Sequence, residues 1–411
     1  MNNERMVIVD GVRTPFCKAG TDLAALGADE LGRVVVNALL TRTAVDPALI
    51  DEVIFGCVAQ PADAANLARV ISLRAGIPQS VPAVTVHRNC ASGFVAVTQA
   101  QEKIFAGRGS VFVVGGAESM SNIPLLFPRT AAAKFAKLAR AKSLGQRVKV
   151  IATFRPADFK PRNGLLLGLT DPVCGLNMGE TAELLAREFH ISRDAQDEFA
   201  LQSHQRVAAA RDRLADEICP VFQPNKPAPV LYDNGIRENQ TLEDLAKLKP
   251  IFDRRYGSVT AGNASQVTDG AVALLVMSES RARKLGFAPL GVLTGYAYAG
   301  CDPKRMGLGP VHAIALAEKT TGLSPADADL IEINEAFAAQ ILAVSKSLGD
   351  VPAEKLNVNG GAIALGHPVG ATGARLVLTA LKELRRRKAR RALVAACVGG
   401  GQGAALWLER I

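Results

Sequence analysis

One order of elements runs twice through this chain of 411 residues, and it narrows the fold more than any other feature. In the first half an extended β-branched run, Val84-Thr85-Val86, gives way at Cys90 to a helical pattern over 91–105. A strand-like stretch at 111–114 and the turn Gly115-Gly116 follow. In the second half a glycine-rich turn around His367 leads to a helical pattern over 371–386. A strand-like stretch at 392–396 and the turn Gly399-Gly400-Gly401 follow. Identity between the two stretches is weak, so it is the topology that repeats. The expectation is two similar α/β halves packed face to face, each bringing one loop to a shared site.

The alternation extends to a buried strand at Val53-Ile54-Phe55 and a helix over 65–75. It breaks after Ala117-Glu118-Ser119-Met120 and resumes at 271–276. Between these points, basic irregular stretches surround two expected helices, 179–189 and 193–211, and Pro, Asn and Asp are frequent over 220–239. That pattern reads as an insertion outside the sheet core. Hydrophobic residues make up 48% and charged residues 21%, the balance of a globular protein. No apolar run approaches the roughly 20 residues a membrane helix needs. The chain enters a strand-like Met6-Val7-Ile8-Val9 directly, so no signal or transit peptide is expected. Seven scattered cysteines include no C-x-x-C pair, which argues against a zinc site or a disulfide framework. A reducing cytoplasm is the expected compartment.

The net charge of +9 is concentrated. Residues 121–176 hold ten Lys or Arg and two acids, Asp158 and Asp171. Such a segment suits a polyanionic small molecule, an acidic partner or an anionic membrane surface. The second cluster, Arg385-Arg386-Arg387-Lys388 with Arg390 and Arg391, closes a helix whose dipole it complements. Nucleic-acid motifs are missing from the sequence, so no nucleic-acid partner is expected.

Four segments carry reactive groups. Cys90 stands at a strand-to-helix junction, where unpaired N–H groups and the helix dipole favour thiolate. The alternative is a buried cysteine acting as a small hydrophobe. His367 lies among glycines in 360–373, which leave its ring approachable. Cys397 sits at a strand end in Cys397-Val398-Gly399-Gly400-Gly401, and Asn334 at the junction Asn334-Glu335-Ala336-Phe337. His87, three residues before Cys90, is a rival base; His190, His204 and His312 read as structural or surface groups. Neither a P-loop nor a strand-linked GxGxxG is present. All four segments fall at strand-to-helix or strand-end turns, where α/β folds place their sites.

These motifs, with Gly366-His367-Pro368, Gly115-Gly116-Ala117-Glu118-Ser119-Met120 and Thr260-Ala261-Gly262-Asn263-Ala264-Ser265, resemble the thiolase family in order and spacing. The resemblance runs from about Val7 to Glu409. It implies a five-layered αβαβα fold from two similar halves with an inserted loop domain. The corresponding boundaries are 1–120 with 268–288 for the N-terminal half, 121–267 for the inserted coenzyme A and acyl-binding loop domain, and 289–411 for the C-terminal half. The implied nucleophile is Cys90, which carries an acyl-thioester intermediate. His367 matches the base that activates it, and Cys397 the second acid/base. Asn334 matches the residue that holds a water, forming an oxyanion hole with His367. The backbone N–H groups of Cys90 and Gly399 match a second hole.

Coenzyme A is implied as a substrate, with no permanently bound cofactor. Its contacts match Arg237, Ala261 and Ser265. The family's biosynthetic acetoacetyl-CoA branch carries His-Met-Gly where this chain has Asn177-Met178-Gly179. Residues 141–148 and 248–253 look like the thiolase subunit of trifunctional fatty-acid oxidation complexes, although that branch usually has histidine at the position of Asn334. The implied activity is degradative: 3-oxoacyl-CoA cleaved to acetyl-CoA and a shortened acyl-CoA in fatty-acid β-oxidation. The alternatives are an acetoacetyl-CoA thiolase (acetyl-CoA C-acetyltransferase) and a non-catalytic binding subunit of the same fold. A decarboxylating ketoacyl synthase is disfavoured by Cys397. The resemblance also implies a homodimer or homotetramer. The basic 121–176 segment offers a face for a hydratase/dehydrogenase subunit or a membrane surface.

Overall fold

A computed structural model describes residues 4–224 and 226–411. Its N-terminal half contributes β1 (Met6–Arg13), β2 (Glu52–Gly56), β3 (Ala83–Val86), β4 (Val111–Glu118) and β5 (Thr268–Ser278). Its C-terminal half contributes β6 (Gly291–Gly300), β7 (Leu330–Ile333), β8 (Arg391–Val398) and β9 (Gln402–Glu409). One sheet path runs β7-β8-β9-β6-β1-β5-β4-β2-β3. The halves meet at a short antiparallel pairing of β1 with β6, Val7 opposite Val292 and Ile8 opposite Gly291.

The repeat expected from the sequence is visible in this path. From its outer edge the N-terminal half reads β3-β2-β4-β5-β1, two parallel pairings followed by two antiparallel ones. From its outer edge the C-terminal half reads β7-β8-β9-β6. There a parallel bridge from Ile331 to Leu356 takes the place of β3. β4 and β5 are buried at every position, which explains why their central runs, 111–114 and 271–277, are continuously apolar instead of alternating, with polar residues confined to the strand ends.

Helices complete five layers. On one outer face α1 (Ala28–Thr43) and α2 (Leu67–Arg74) pack on Val53, Phe55, Val113 and Leu275. In the middle α3 (Ser92–Phe105) shares one core with strands of both halves. The insertion carries α4 (Arg129–Arg140), α5 (Leu144–Ile151), α6 (Gly164–Gly168), α7 (Met178–Glu188) and α8 (Arg193–Ala209). On the far face α9 (Gly309–Thr321) and α10 (Ala338–Ser347) cover Ile331, Leu393 and Trp407. The second central helix, α11 (Thr372–Arg387), lies beside α3 between the two halves. The αβαβα expectation is borne out.

Glycines allow the central elements to converge. A Cβ on Gly116 would stand 2.0 Å from the Gly370 carbonyl oxygen, and one on Gly93 would stand 2.6 Å from the Ala374 nitrogen. These contacts bring the N-termini of α3 and α11 together, and with them the turns that precede both helices.

Residues 121–176, read from the sequence as irregular, contain α4, α5 and α6. Helix formers drive α4, whose sequence is rich in Ala, Lys and Arg. Ser143 caps α5 by accepting from the Gln146 N–H. The segment closes on its own aromatic cluster. Phe135 packs 5.4 Å from Phe127 and 5.0 Å from Phe154, and Phe154 stacks on Phe159 at 5.5 Å. The rest of the insertion is held to the core by Arg13 of β1. This fully buried guanidinium donates to both carboxylate oxygens of Asp233, at 2.6 and 2.8 Å, and to Glu217 at 3.1 Å.

Candidate active site

The Cys90 turn precedes α3. Asn89 takes a left-handed conformation (φ 42°), which asparagine tolerates better than most residues. Ser92 closes the turn, its hydroxyl accepting from the Arg88 N–H at 2.9 Å and donating to the Asn89 carbonyl at 2.7 Å. The Asn89 amide donates across to the Gly399 carbonyl at 2.7 Å. That bond ties the Cys90 turn of one half to the Cys397 turn of the other.

The Cys90 sulfur is approached by its own backbone N–H and by that of Gly399. The sequence reading, that a helix N-terminus favours thiolate here, is corrected. Burial pushes the Cys90 thiol up, and the two N–H groups offset only part of that desolvation. With its pKa raised from the ordinary thiol value, Cys90 favours the protonated form at neutral pH. Cys397, at the end of β8, is likewise pushed well above the ordinary thiol value, by burial first and then by its neighbour Cys90.

His367 has a defined tautomer. The Thr372 hydroxyl donates to the Pro368 carbonyl at 3.0 Å, so its oxygen accepts from His367 Nδ1–H at 2.6 Å. Nδ1 carries the proton and Nε2 holds the lone pair. Burial, followed by the Arg375 guanidinium, pushes His367 down to about 4, so it is neutral at physiological pH. Asn334, fully buried, holds its amide nitrogen 3.4 Å from Nε2, and its carbonyl oxygen has no partner among the described residues.

Cys90, His367, Cys397, Gly399 and Ser265 all line one cavity of about 480 Å³. Its apolar walls include Ile123, Leu165, Leu169 and Val173 of the insertion, with Met178 and Phe337. A cleft of about 550 Å³ between Arg42 and the 382–386 end of α11 is larger, but none of the four reactive segments reaches it. Arg237 and Ala261 line a separate depression together with Asp244 and Leu248. The sequence-expected coenzyme A contacts thus divide between two places. His87 is exposed and does not line the cavity, which removes its case as a rival base.

Sequence reasoning missed Thr372, the partner that fixes the tautomer; a hydroxyl on the first turn after a glycine-flanked histidine was the available signal. It also assigned nothing to Glu118 or Glu335, both fully buried beside the reactive turns. Among the described residues no cluster of His, Cys, Asp and Glu has the makings of a metal site, and no helix is long and apolar enough to cross a membrane.

Comparison with known proteins gives one answer at two levels. Residues 6–280 match the family model of the thiolase N-terminal domain, and residues 287–410 that of the thiolase C-terminal domain. A 3-ketoacyl-CoA thiolase of Pseudoalteromonas translucida is 41% identical, with 99% of this chain and 97% of that protein aligned. One from Yersinia enterocolitica shows the same figures. Among solved structures, a Bacillus anthracis acetyl-CoA acetyltransferase superposes with a TM-score of 0.90 at 39% identity, covering 99% of both chains. Human mitochondrial 3-ketoacyl-CoA thiolase in complex with CoA gives 0.88 at 40%, covering 99% of this chain and 98% of that one.

Proposed function

Because the chain belongs to the thiolase family, we propose that it cleaves 3-oxoacyl-CoA thiolytically, releasing acetyl-CoA and passing a shortened acyl group through Cys90 to coenzyme A. One observation carries the reading: segments from both halves meet at Cys90, His367 and Cys397 in one cavity with apolar walls.

The steps follow from the protonation states. His367 Nε2 takes the Cys90 proton as the sulfur attacks the 3-keto carbon. The N–H groups of Cys90 and Gly399, both of which approach the Cys90 sulfur, receive the charge on the carbonyl oxygen of the acyl-sulfur adduct, a contribution of about 3–4 kcal/mol each. The bond between C2 and C3 breaks. The departing acetyl-CoA carbanion, its thioester oxygen held by His367 and a water on Asn334, takes the Cys397 proton. Cys397 thiolate then accepts the proton of an incoming coenzyme A thiol, whose sulfur attacks the acyl-Cys90 carbonyl. Cys90 leaves and recovers its proton from His367, which restores every group.

Coenzyme A spans the distance from Ser265, which lines the reaction cavity, to Arg237 and Ala261 at the second depression. Residues 121–267 form the loop domain that binds it and the acyl chain, with 1–120 and 268–288 as one half and 289–411 as the other. The reading extends to β-oxidation in the cytoplasm and to a homodimer or homotetramer; the half-exposed edge strand β3 supports such an assembly. Exposed Leu144, Val148 and Phe159 beside the basic side chains of 121–176 support contact with a hydratase/dehydrogenase subunit or an anionic membrane surface.

The apolar walls favour a chain longer than four carbons. Each buried CH₂ contributes about 0.8 kcal/mol, so a C10 substrate that realises a third of its extra burial gains about tenfold over C4. The test compares kcat/KM for C4 and C10 3-oxoacyl-CoA. A strong C4 preference would instead establish an acetoacetyl-CoA thiolase, and no turnover of either would establish a binding subunit.

A further inference from the structure

The loop that carries His367 is held at both ends by a buried carboxylate, one from each half of the molecule. At its far end, the Gly370 N–H donates to Glu118 Oε2 at 2.8 Å. The same carboxylate accepts the Val58 and Ala59 N–H groups at 3.0 and 2.9 Å, and the Cys57 thiol lies 3.5 Å away. At its near end, the Ile363 N–H donates to Glu335 Oε2 at 3.1 Å. Glu335 also accepts the Ser203 hydroxyl at 2.6 Å and the Asn357 amide at 2.9 Å. Ser203 in turn accepts the Gly361 N–H at 3.2 Å, which adds a second link to the same loop.

Every neighbour of the two carboxylates is a donor. The backbone N–H groups and the Asn357 amide can only donate, so these partners favour the ionised form; the Ser203 hydroxyl and the Cys57 thiol are the two partners able to accept from a protonated acid. Both side chains are 1% exposed, and neither has an ion-pair partner among the described residues. Keeping a carboxylate buried with only neutral donors is costly unless its hydrogen bonds are complete, and burial does raise both groups. Three backbone N–H groups of this loop, those of Gly361, Ile363 and Gly370, are held in this way, which fixes where the loop lies.

We infer that Glu118 and Glu335 are positioning residues that set the place of His367 relative to Cys90, each through a backbone N–H of the 363–370 loop. This rests on His367 being the base. Glu118 reaches from the end of β4, in the half that supplies Cys90. Glu335 follows Asn334, in the half that supplies His367. The pair therefore registers base against nucleophile across the interface between the halves. Glu118 also lines the reaction cavity, so losing its grip on Gly370 shifts the loop without removing any reacting group. A displacement of about 1 Å in such a pair costs on the order of a hundredfold in rate.

The test is a cycle on the alkylation of Cys90 by iodoacetamide, which needs no turnover. Glu118→Gln keeps the shape and replaces one acceptor oxygen with an NH₂ group that opposes the N–H groups. In the otherwise natural protein it should slow alkylation about tenfold and lower kcat more than it raises KM. In a His367→Ala background its effect should shrink to within about twofold, because the group it positions is gone. Equal slowing in both backgrounds, or none in a folded variant, would overturn the inference. Should Glu118→Gln fail to fold, Ser203→Ala is carried through the same cycle with the same criteria. His367→Ala alone separates the two readings. If that variant still cleaves 3-oxoacyl-CoA, the base assignment falls. If it is inactive while the cycle is additive, only the positioning role falls.

Discussion

The turns before α3 and α11 occupy the same place in the two halves, as do the ends of β4 and β8, yet the halves use these places differently. Before α3 the N-terminal half presents Cys90; before α11 the C-terminal half presents His367. At the end of β8 a tight turn, Gly399-Gly400-Gly401, follows Cys397 and returns straight into β9. At the end of β4 the chain ends on Glu118 and leaves through residues 119–267 before β5 begins. In the proposed mechanism one half therefore supplies the sulfur and a cover for the substrate, and the other supplies both proton-transfer groups. A repeated fold offers four equivalent positions, and the chemistry comes from filling them unequally.

The largest expected effect lies on the N-terminal turn. Cys90→Ala should lower thiolytic kcat by at least about 10⁴ and leave the melting temperature within a few degrees. Retained turnover would move the nucleophile elsewhere and dissolve the contrast between the halves.

Within the C-terminal half, Thr372→Val should lower kcat by about tenfold. It removes the acceptor that holds Nδ1–H and leaves His367 free to rotate or to place its proton on Nε2. The check is the steady-state rate together with the imidazole tautomer by nitrogen NMR. A rate equal to that of the natural protein would show that the glycine loop alone orients the ring.

The cover contributed by the N-terminal half should govern chain length more than chemistry. Leu165→Ala should cut the preference for C10 over C4 by roughly threefold to tenfold, through buried methyl and methylene groups lost from the wall. The C4 rate itself should stay within about twofold. An equal loss on both substrates would mean that the wall shapes the reacting centre.

Acid should weaken the fold through a buried histidine on each side of this comparison, His204 in the insertion and His367 in the loop. Burial pushes each from 6.5 down to about 4, so the unfolded chain binds these protons more readily than the folded one. The stability they contribute is complete above pH 6.5 and is lost as pH falls to about 4, roughly 3 kcal/mol for each. His204→Gln should make the fall in melting temperature over that range shallower. An unchanged slope would mean that His204 titrates normally.

How far the sequence reached depends on what each residue touches. Cys90, His367 and Cys397 were legible because glycines and strand ends flank them, and those signals are local. The layered halves were legible because one order of elements repeats. Glu118 and Glu335 were not legible as partners of the histidine loop: Glu118 meets Gly370 across 252 positions of chain, and nothing near either residue announces the other. The protonation of Cys90 was misread for a related reason. A helix N-terminus is visible in sequence, whereas the burial that outweighs it arises from the fold. The helices α4 and α5 were overlooked because they lie in a basic segment that leaves most of their residues exposed, and the phenylalanines α4 closes on belong to that same segment rather than to the sheet core. Ser265 and Arg237 belong to one expected ligand but line separate surfaces, a separation that spacing along the chain does not encode.

The division of labour between the halves is tested most directly by mass spectrometry of a Cys397→Ala variant given a simple acyl-CoA. Losing a general acid/base should lower carbon–carbon bond cleavage by about 10² to 10⁴. The N-terminal half should nevertheless still load its sulfur, so the account predicts an acyl adduct mapped to Cys90 in a variant that no longer cleaves 3-oxoacyl-CoA. An adduct on another residue, or no adduct on a folded variant, would contradict it.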